Sequence, residues 1–301
     1  MIRRLLVAIM IVAVMITSAC IGQKEPPAEE EPAEPPAELP AVEEPAPSPY
    51  IGVEKKIARY LNDGAEFAVY LAYPQKTGEA FIYNSKPMCS ASMIKVFILA
   101  AVMDKIKNGE LSLDEQITLN DYEIVGGAGV IAGYPPETKF PLRDVMELMI
   151  TYSDNTATNM LIDRIGMDKI NEYIQREGYS DTALNHKMML YNYYSGDNMS
   201  SVRDLGMFFQ KLYHYKCCGK KYDEIMLDFL AAQTDTDCFP AALPGVQIAH
   251  KTGALDDLYD DGGIIYSPKG HVILVIMTEN CLNGEYATIE QMKSFTRSVV
   301  N

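Results

Sequence analysis

The sequence predicts an α+β fold in which one antiparallel sheet, flanked by helices, is assembled from both ends of the folded chain and an all-helical lobe is inserted between them. Three observations carry this. Short runs rich in β-branched and aromatic residues occur early, at Ala65–Tyr73 and Ala80–Tyr83, and again late, at Val246–His250, Gly263–Tyr266 and His271–Met277. The stretch between them, from about Ser112 to Leu230, shows apolar residues at helical spacing with polar connections. The order strands, helices, strands then requires the two chain ends to share a sheet.

The first 49 residues stand apart from that domain. Arg3-Arg4 precedes an apolar run from Leu5 to Ile16, too short for a membrane span, and Ser18-Ala19 comes immediately before Cys20. Residues 1–20 therefore read as a secretory signal. A Cys directly after a small pair resembles a prokaryotic lipobox, with Cys20 as the lipid-bearing residue, although Thr17 stands where such a motif usually carries Leu. Residues 21–49 are mainly Pro, Glu and Ala, with eight Glu against Lys24. A segment with so little to bury, and with like charges along it, is a solvated tether. It accounts for about half of the net charge of −15, so the acidity says little about the substrate. An exported domain (50–301) tethered to the outer face of the membrane, or secreted, is the expectation.

Within that domain each element has a local reason. Gly52 to Leu61 is a short amphipathic helix, and Pro74 to Gly78 turns the first hairpin. The apolar run Val96-Phe97-Ile98-Leu99-Ala100-Ala101 marks a buried helix that fades near Gly109. Arg143–Thr151, Ala157–Ile165, Met167–Ile174 and Ser201–Tyr213 follow with helical periodicity, the last with Ser201 as its N-cap. Ser267-Pro268-Lys269-Gly270 joins the last two strands, and Glu285–Val300 closes as a helix. Past Cys20 there are five cysteines, an odd number whose spacings match no zinc pattern, and the four histidines are scattered. No metal or other cofactor is expected, and the histidines read as surface or packing residues.

Chemistry concentrates at the start of the buried helix. Ser92 and Lys95 are three apart, so a hydroxyl and an amine share one helical face. The positive end of the helix disfavours an ammonium, which makes Lys95 a candidate base for Ser92. Ser153-Asp154-Asn155 follows in the helical block, and Lys251-Thr252-Gly253 ends a late strand.

These three motifs, in this order and context, resemble the class A β-lactamases and penicillin-recognising serine hydrolases. The flanks agree: Met149-Ile150-Thr151-Tyr152, Thr156 to Asp163, Gly126-Gly127-Ala128-Gly129-Val130 and Asp261-Gly262-Gly263-Ile264. The resemblance implies Ser92 as nucleophile, Lys95 as base, and Ser153 as a proton relay between Lys95 and Lys251. It implies Asn155 as an orienting amide, and Lys251 and Thr252 as holders of a substrate carboxylate. It also implies the backbone N–H groups of Ser92 and Ala254 as oxyanion donors. Gly253 is read as leaving room for substrate beside the strand. Asp154 reads as a residue that fixes its loop, and Met188-Met189-Leu190 as packing.

One part is missing. The family's deacylating glutamate, placed in register with Thr182-Ala183-Leu184-Asn185, falls on Met188, with Asn192 near the family's asparagine. Asp181 and Asp197 are the only acids in this loop, and neither is in register. The expectation is a serine hydrolase that forms an acyl-enzyme from a β-lactam or related amide and releases it slowly. The alternatives are a membrane-tethered D,D-peptidase acting on peptidyl-D-Ala ends, or a non-catalytic ligand-binding lipoprotein. Expected partners are a small-molecule substrate and, through the anchor, a membrane; nucleic acid is not expected, and the chain is read as a monomer.

Overall fold

In the computed structural model, residues 48–62, 64–190 and 196–300 are described. Cys20, the signal-like segment, the tether up to residue 47, and Tyr191, Asn192, Tyr193 and Tyr194 lie outside them.

Helix α1 (Val53–Tyr60) leads into β1 (Glu66–Ala72) and β2 (Ala80–Tyr83). At the other end come β7 (Ile248–Leu255), β8 (Leu258–Ile265), β9 (Val272–Glu279) and helix α9 (Glu285–Val300). All five strands form one antiparallel sheet in the order β2-β1-β9-β8-β7, so β1 from the start of the domain lies against β9 from its end. The expectation of a sheet shared by both chain ends holds. The late strands are longer than their apolar runs suggested: Lys251-Thr252-Gly253 lies inside β7 and does not terminate it.

Strands β1 and β9 are apolar from Phe67 to Ala72 and from Val272 to Met277, as expected for strands covered on both faces. Alternation sorts their residues. Phe67, Val69, Leu71, Leu274 and Ile276 join a core with α1, α9 and the short α8 (Phe239–Ala242). Ala68, Tyr70, Ile273, Val275 and Met277 face the second core, which continues into the helical lobe.

That lobe contains α2 (Lys95–Lys107), α3 (Leu142–Thr151), α4 (Asn155–Ile165), α5 (Met167–Arg176), α6 (Val202–Tyr213) and α7 (Lys220–Ala231). Helix α2 is buried on nearly every side, from Lys95 through Met103, as a helix apolar all round should be. Its Phe97 packs edge-on against Tyr179 with ring centroids 4.8 Å apart. Ser201 caps α6 by accepting from the Asp204 amide. Two small sheets were not anticipated: β3 (Met88–Cys89) with β6 (Met199–Ser200), and β4 (Gln116–Thr118) with β5 (Lys139–Pro141). Strands of two or three residues have no alternation to read. The five described cysteines are all free.

Candidate active site

Ser92 sits in a 3-10 turn, Ala91–Ile94, that runs directly into α2, and Lys95 is the first residue of that helix. In a 3-10 turn residues three apart eclipse, and Lys95 Nζ lies 3.0 Å from Ser92 Oγ. Ala91 is held at φ 40, a left-handed conformation that costs a non-glycine residue on the order of 1 kcal/mol or more. The turn is pinned from behind, where the Ser90 amide and hydroxyl both donate to Asn198 O at 2.8 Å.

Ser153, Asp154 and Asn155 connect α3 to α4. Ser153 is also left-handed, at φ 52. Asp154 fixes its surroundings: it caps α4 through the Ala157 amide and accepts from the amides of Val130 (2.6 Å) and Ile131 (2.8 Å). A Cβ on Gly129, whose φ is 121, would lie 2.3 Å from Asp154 Cγ, so this loop closes only over a glycine. Asn155 N donates to Ala128 O, completing the clip.

Four groups meet at Lys95 Nζ: Ser153 O at 2.6 Å, Asn155 Oδ1 at 2.8 Å, Ser92 Oγ at 3.0 Å and Ser153 Oγ at 3.1 Å. Lys251 Nζ donates to Ser153 Oγ (3.0 Å) and Thr252 O (2.7 Å). Both lysines are fully buried. Burial, and then the Lys251 charge, hold the Lys95 ammonium well below the usual lysine range, with Asp154 opposing. Burial brings Lys251 to about 8 despite Asp235 and Asp261. Of the two, Lys251 titrates at about 8, and the lowering at Lys95 favours its free amine. A neutral amine has two hydrogens and one lone pair. Ser153 O and Asn155 Oδ1 can only accept, so they take the hydrogens and the lone pair is left for a hydroxyl proton. The lowering has the direction expected from the sequence, but its largest cause is burial and only then the neighbouring cation.

Ser92, Asn155 and Ala254 line a cleft of about 190 Å³ with Gly127, Ala128, His186, Met188 and Met189. Cys89, Asp197, Asn198 and Leu255 line it too. Lys95, Ser153, Lys251 and Thr252 form its backing. Asn155 is half committed, because Oδ1 accepts from Lys95 and Nδ2 donates to Gly126 O at 3.1 Å. Gly253 is corrected. A Cβ there would come within 3.2 Å of Ser90 O, Ala91 Cβ and Met93 Cγ, so its bareness serves packing of β7 on the Ser92 turn.

Met188 is buried and lines the cleft, while Met189 is half exposed and Leu190 nearly so, which corrects the reading of those two as packing residues. Two asparagines hold this wall. Asn159 pairs with both backbone atoms of Met188 (2.8 and 3.2 Å), and Asn198 accepts from the amides of Asn185 and His186. Neither was singled out from the sequence. An Asn at 159 beside the apolar Met160, Leu161 and Ile162 was the signal available.

A model of the Beta-lactamase enzyme family matches residues 52–300. The fold is similar to the crystal structure of a β-lactamase from Sphaerobacter thermophilus, at 28% identity over 83% of this chain and 95% of that one, TM-score 0.76. It is also similar to a variant of PBP-A in an acyl-enzyme complex with penicillin G, at 27% identity over 82% and 93%, TM-score 0.75. In sequence the chain is 23% identical over 203 residues to the extended-spectrum β-lactamase PER-1 of Pseudomonas aeruginosa. That match covers 61% of this chain and 65% of the relative, less than two thirds of its length.

Proposed function

Because the chain belongs to the β-lactamase enzyme family, we propose that it is a serine hydrolase whose Ser92 opens β-lactams or related amides to form an acyl-enzyme. The observation that carries this reading is the Lys95 lone pair, 3.0 Å from Ser92 Oγ, with both amine hydrogens committed elsewhere. Lys95 takes the Ser92 proton as Oγ bonds to the carbonyl carbon. The oxyanion that forms is received by the backbone N–H groups of Ser92 and Ala254, the family's donor positions, both on the cleft. Ser153, between the two lysines, passes its proton to the leaving nitrogen as the C–N bond breaks and is reprotonated from Lys95. Lys251 and Thr252 attract the substrate carboxylate, and Asn155 orients the acyl amide.

Release of the acyl group is slow in this reading. A general base contributes about a hundredfold to ten-thousandfold to such a step, and Met188 offers a thioether where the family's glutamate falls. A second reading, a D,D-peptidase of cell-wall chemistry, is favoured by the place of β7 at the edge of the sheet. An edge strand beside a nucleophile can add an extended peptide by backbone pairing.

The test mixes the protein with a fluorescent penicillin and with a chromogenic cephalosporin, beside Ser92→Ala. Stoichiometric labelling of the wild type, slow cephalosporin turnover and no labelling of the variant are expected. Labelling of Ser92→Ala at the wild-type level, or none of the wild type, would sink the proposal.

A further inference from the structure

Asp197 stands out among the groups lining the cleft. Of the described residues that line it, Asp197 alone is an Asp, Glu, Lys or Arg. The register Cys89↔Met199 between β3 and β6, continued by the Ser90 bonds to Asn198 O, carries Asp197 alongside the Ala91-Ser92 turn. It is exposed, and none of the ion pairs among the described residues includes it. Its charge is felt inside the cleft: burial first, and then Asp197, push the Cys89 thiol up to about 11.

The opposite sign sits elsewhere. Lys251 is bonded to Ser153 behind the cleft. Along β7, at a rise of about 3.3 Å per residue, Leu255 lies about 13 Å beyond Lys251, and it is the Leu255 end that lines the cleft with Asp197. Met188, Met189 and Ala254 add apolar surface to the same cleft. A cleft with a buried ammonium behind it, reached through Ser153, and a carboxylate as the one Asp, Glu, Lys or Arg among its described lining residues favours a substrate that carries both a carboxylate and an ammonium.

We propose that Asp197 sets substrate choice: the site takes amides and β-lactams with a carboxylate on the leaving-group side and an ammonium on the acyl side. This rests on the reading of Ser92 as nucleophile, and it names the substrate class for that site. A carboxylate at the mouth of a cleft acts by steering and by a screened contact, so the effect on acylation is about tenfold and falls as salt rises.

The test measures acylation rates of three penicillins by competition with the fluorescent label. Ampicillin carries an ammonium on its acyl side chain, benzylpenicillin is neutral there and carbenicillin carries a carboxylate. At low ionic strength ampicillin should acylate fastest and carbenicillin slowest. The spread should shrink in high salt, a measurement that needs no variant. In Asp197→Asn the spread should collapse while benzylpenicillin keeps its rate. Equal rates for the three in the wild type, or a spread that survives Asp197→Asn, would overturn the charge selection alone. Failure of all three to label the wild type would remove the acyl-enzyme reading beneath it, and this proposal with it.

Discussion

On the side of the cleft backed by Lys95, Ser153 and Lys251, polar atoms meet at 2.6–3.1 Å. On the facing side, Met188 is positioned with equal care, through both of its backbone atoms to Asn159, yet what it presents is a thioether. Both sides are ordered, so rigidity does not distinguish them. They differ in whether a proton can be taken. The first side can transfer one from Ser92; at position 188, where the family's glutamate falls, the second presents a thioether that cannot accept one from a water, which is the physical content of slow release.

The largest effect that could break this contrast is at Lys95. Lys95→Ala removes the proton acceptor from Ser92 and leaves Ser153 O and Asn155 Oδ1 without their donor. Acylation by fluorescent penicillin should fall by about a hundredfold to ten-thousandfold. The rate is read by stopped labelling and folding is checked by circular dichroism. Labelling at the wild-type rate would show that the base is some other group.

Met188→Glu tests the facing side. It puts a carboxylate on a loop already clamped by Asn159 and Asn198, so acylation should be unchanged and the acyl-enzyme should decay faster. The gain should be nearer the hundredfold end of the general-base range, because burial at this position penalises the charged carboxylate. Decay is followed by recovery of free enzyme after removal of excess penicillin. An unchanged lifetime would mean that the loop does not bring position 188 to the acyl bond.

How much of this was legible in the sequence divides along the same line. Ser92, Lys95, Ser153, Asn155 and Lys251 could be found because each sits in a short motif, and the sheet from both chain ends because its strands are long enough to show composition. The burial that neutralises Lys95 could not be found, since it comes from α2, α4 and β7 closing around one amine. The role of Gly253 depends on how closely β7 approaches the Ser92 turn, a distance no motif encodes. Asp197 was noticed and set aside, because it was judged only by register with a missing glutamate. It reaches the cleft through the two-residue pairing of β3 with β6, which is too short to leave a pattern.

The smallest effect concerns pH and falls on the first side alone. Burial and the Lys251 charge hold Lys95 well below the ordinary lysine range, which favours its free amine. Lys251 loses its proton around pH 8. Above that value the cation that attracts the substrate carboxylate and donates to Ser153 is progressively lost. Acylation should therefore be flat near neutrality and decline by up to about tenfold per pH unit beyond 8. Deacylation of the isolated acyl-enzyme, limited on the Met188 side, should not show that limb. Stability has the opposite slope from the same group: between about 8 and the ordinary lysine value the unfolded chain holds a proton that the folded one has released, so folding is favoured as pH rises. A loss of acylation above pH 8 caused by unfolding would thus run against the sign expected from Lys251. Melting temperatures recorded beside the rates separate the two. An acylation rate that keeps climbing to pH 10 would place the working cation on a group other than Lys251.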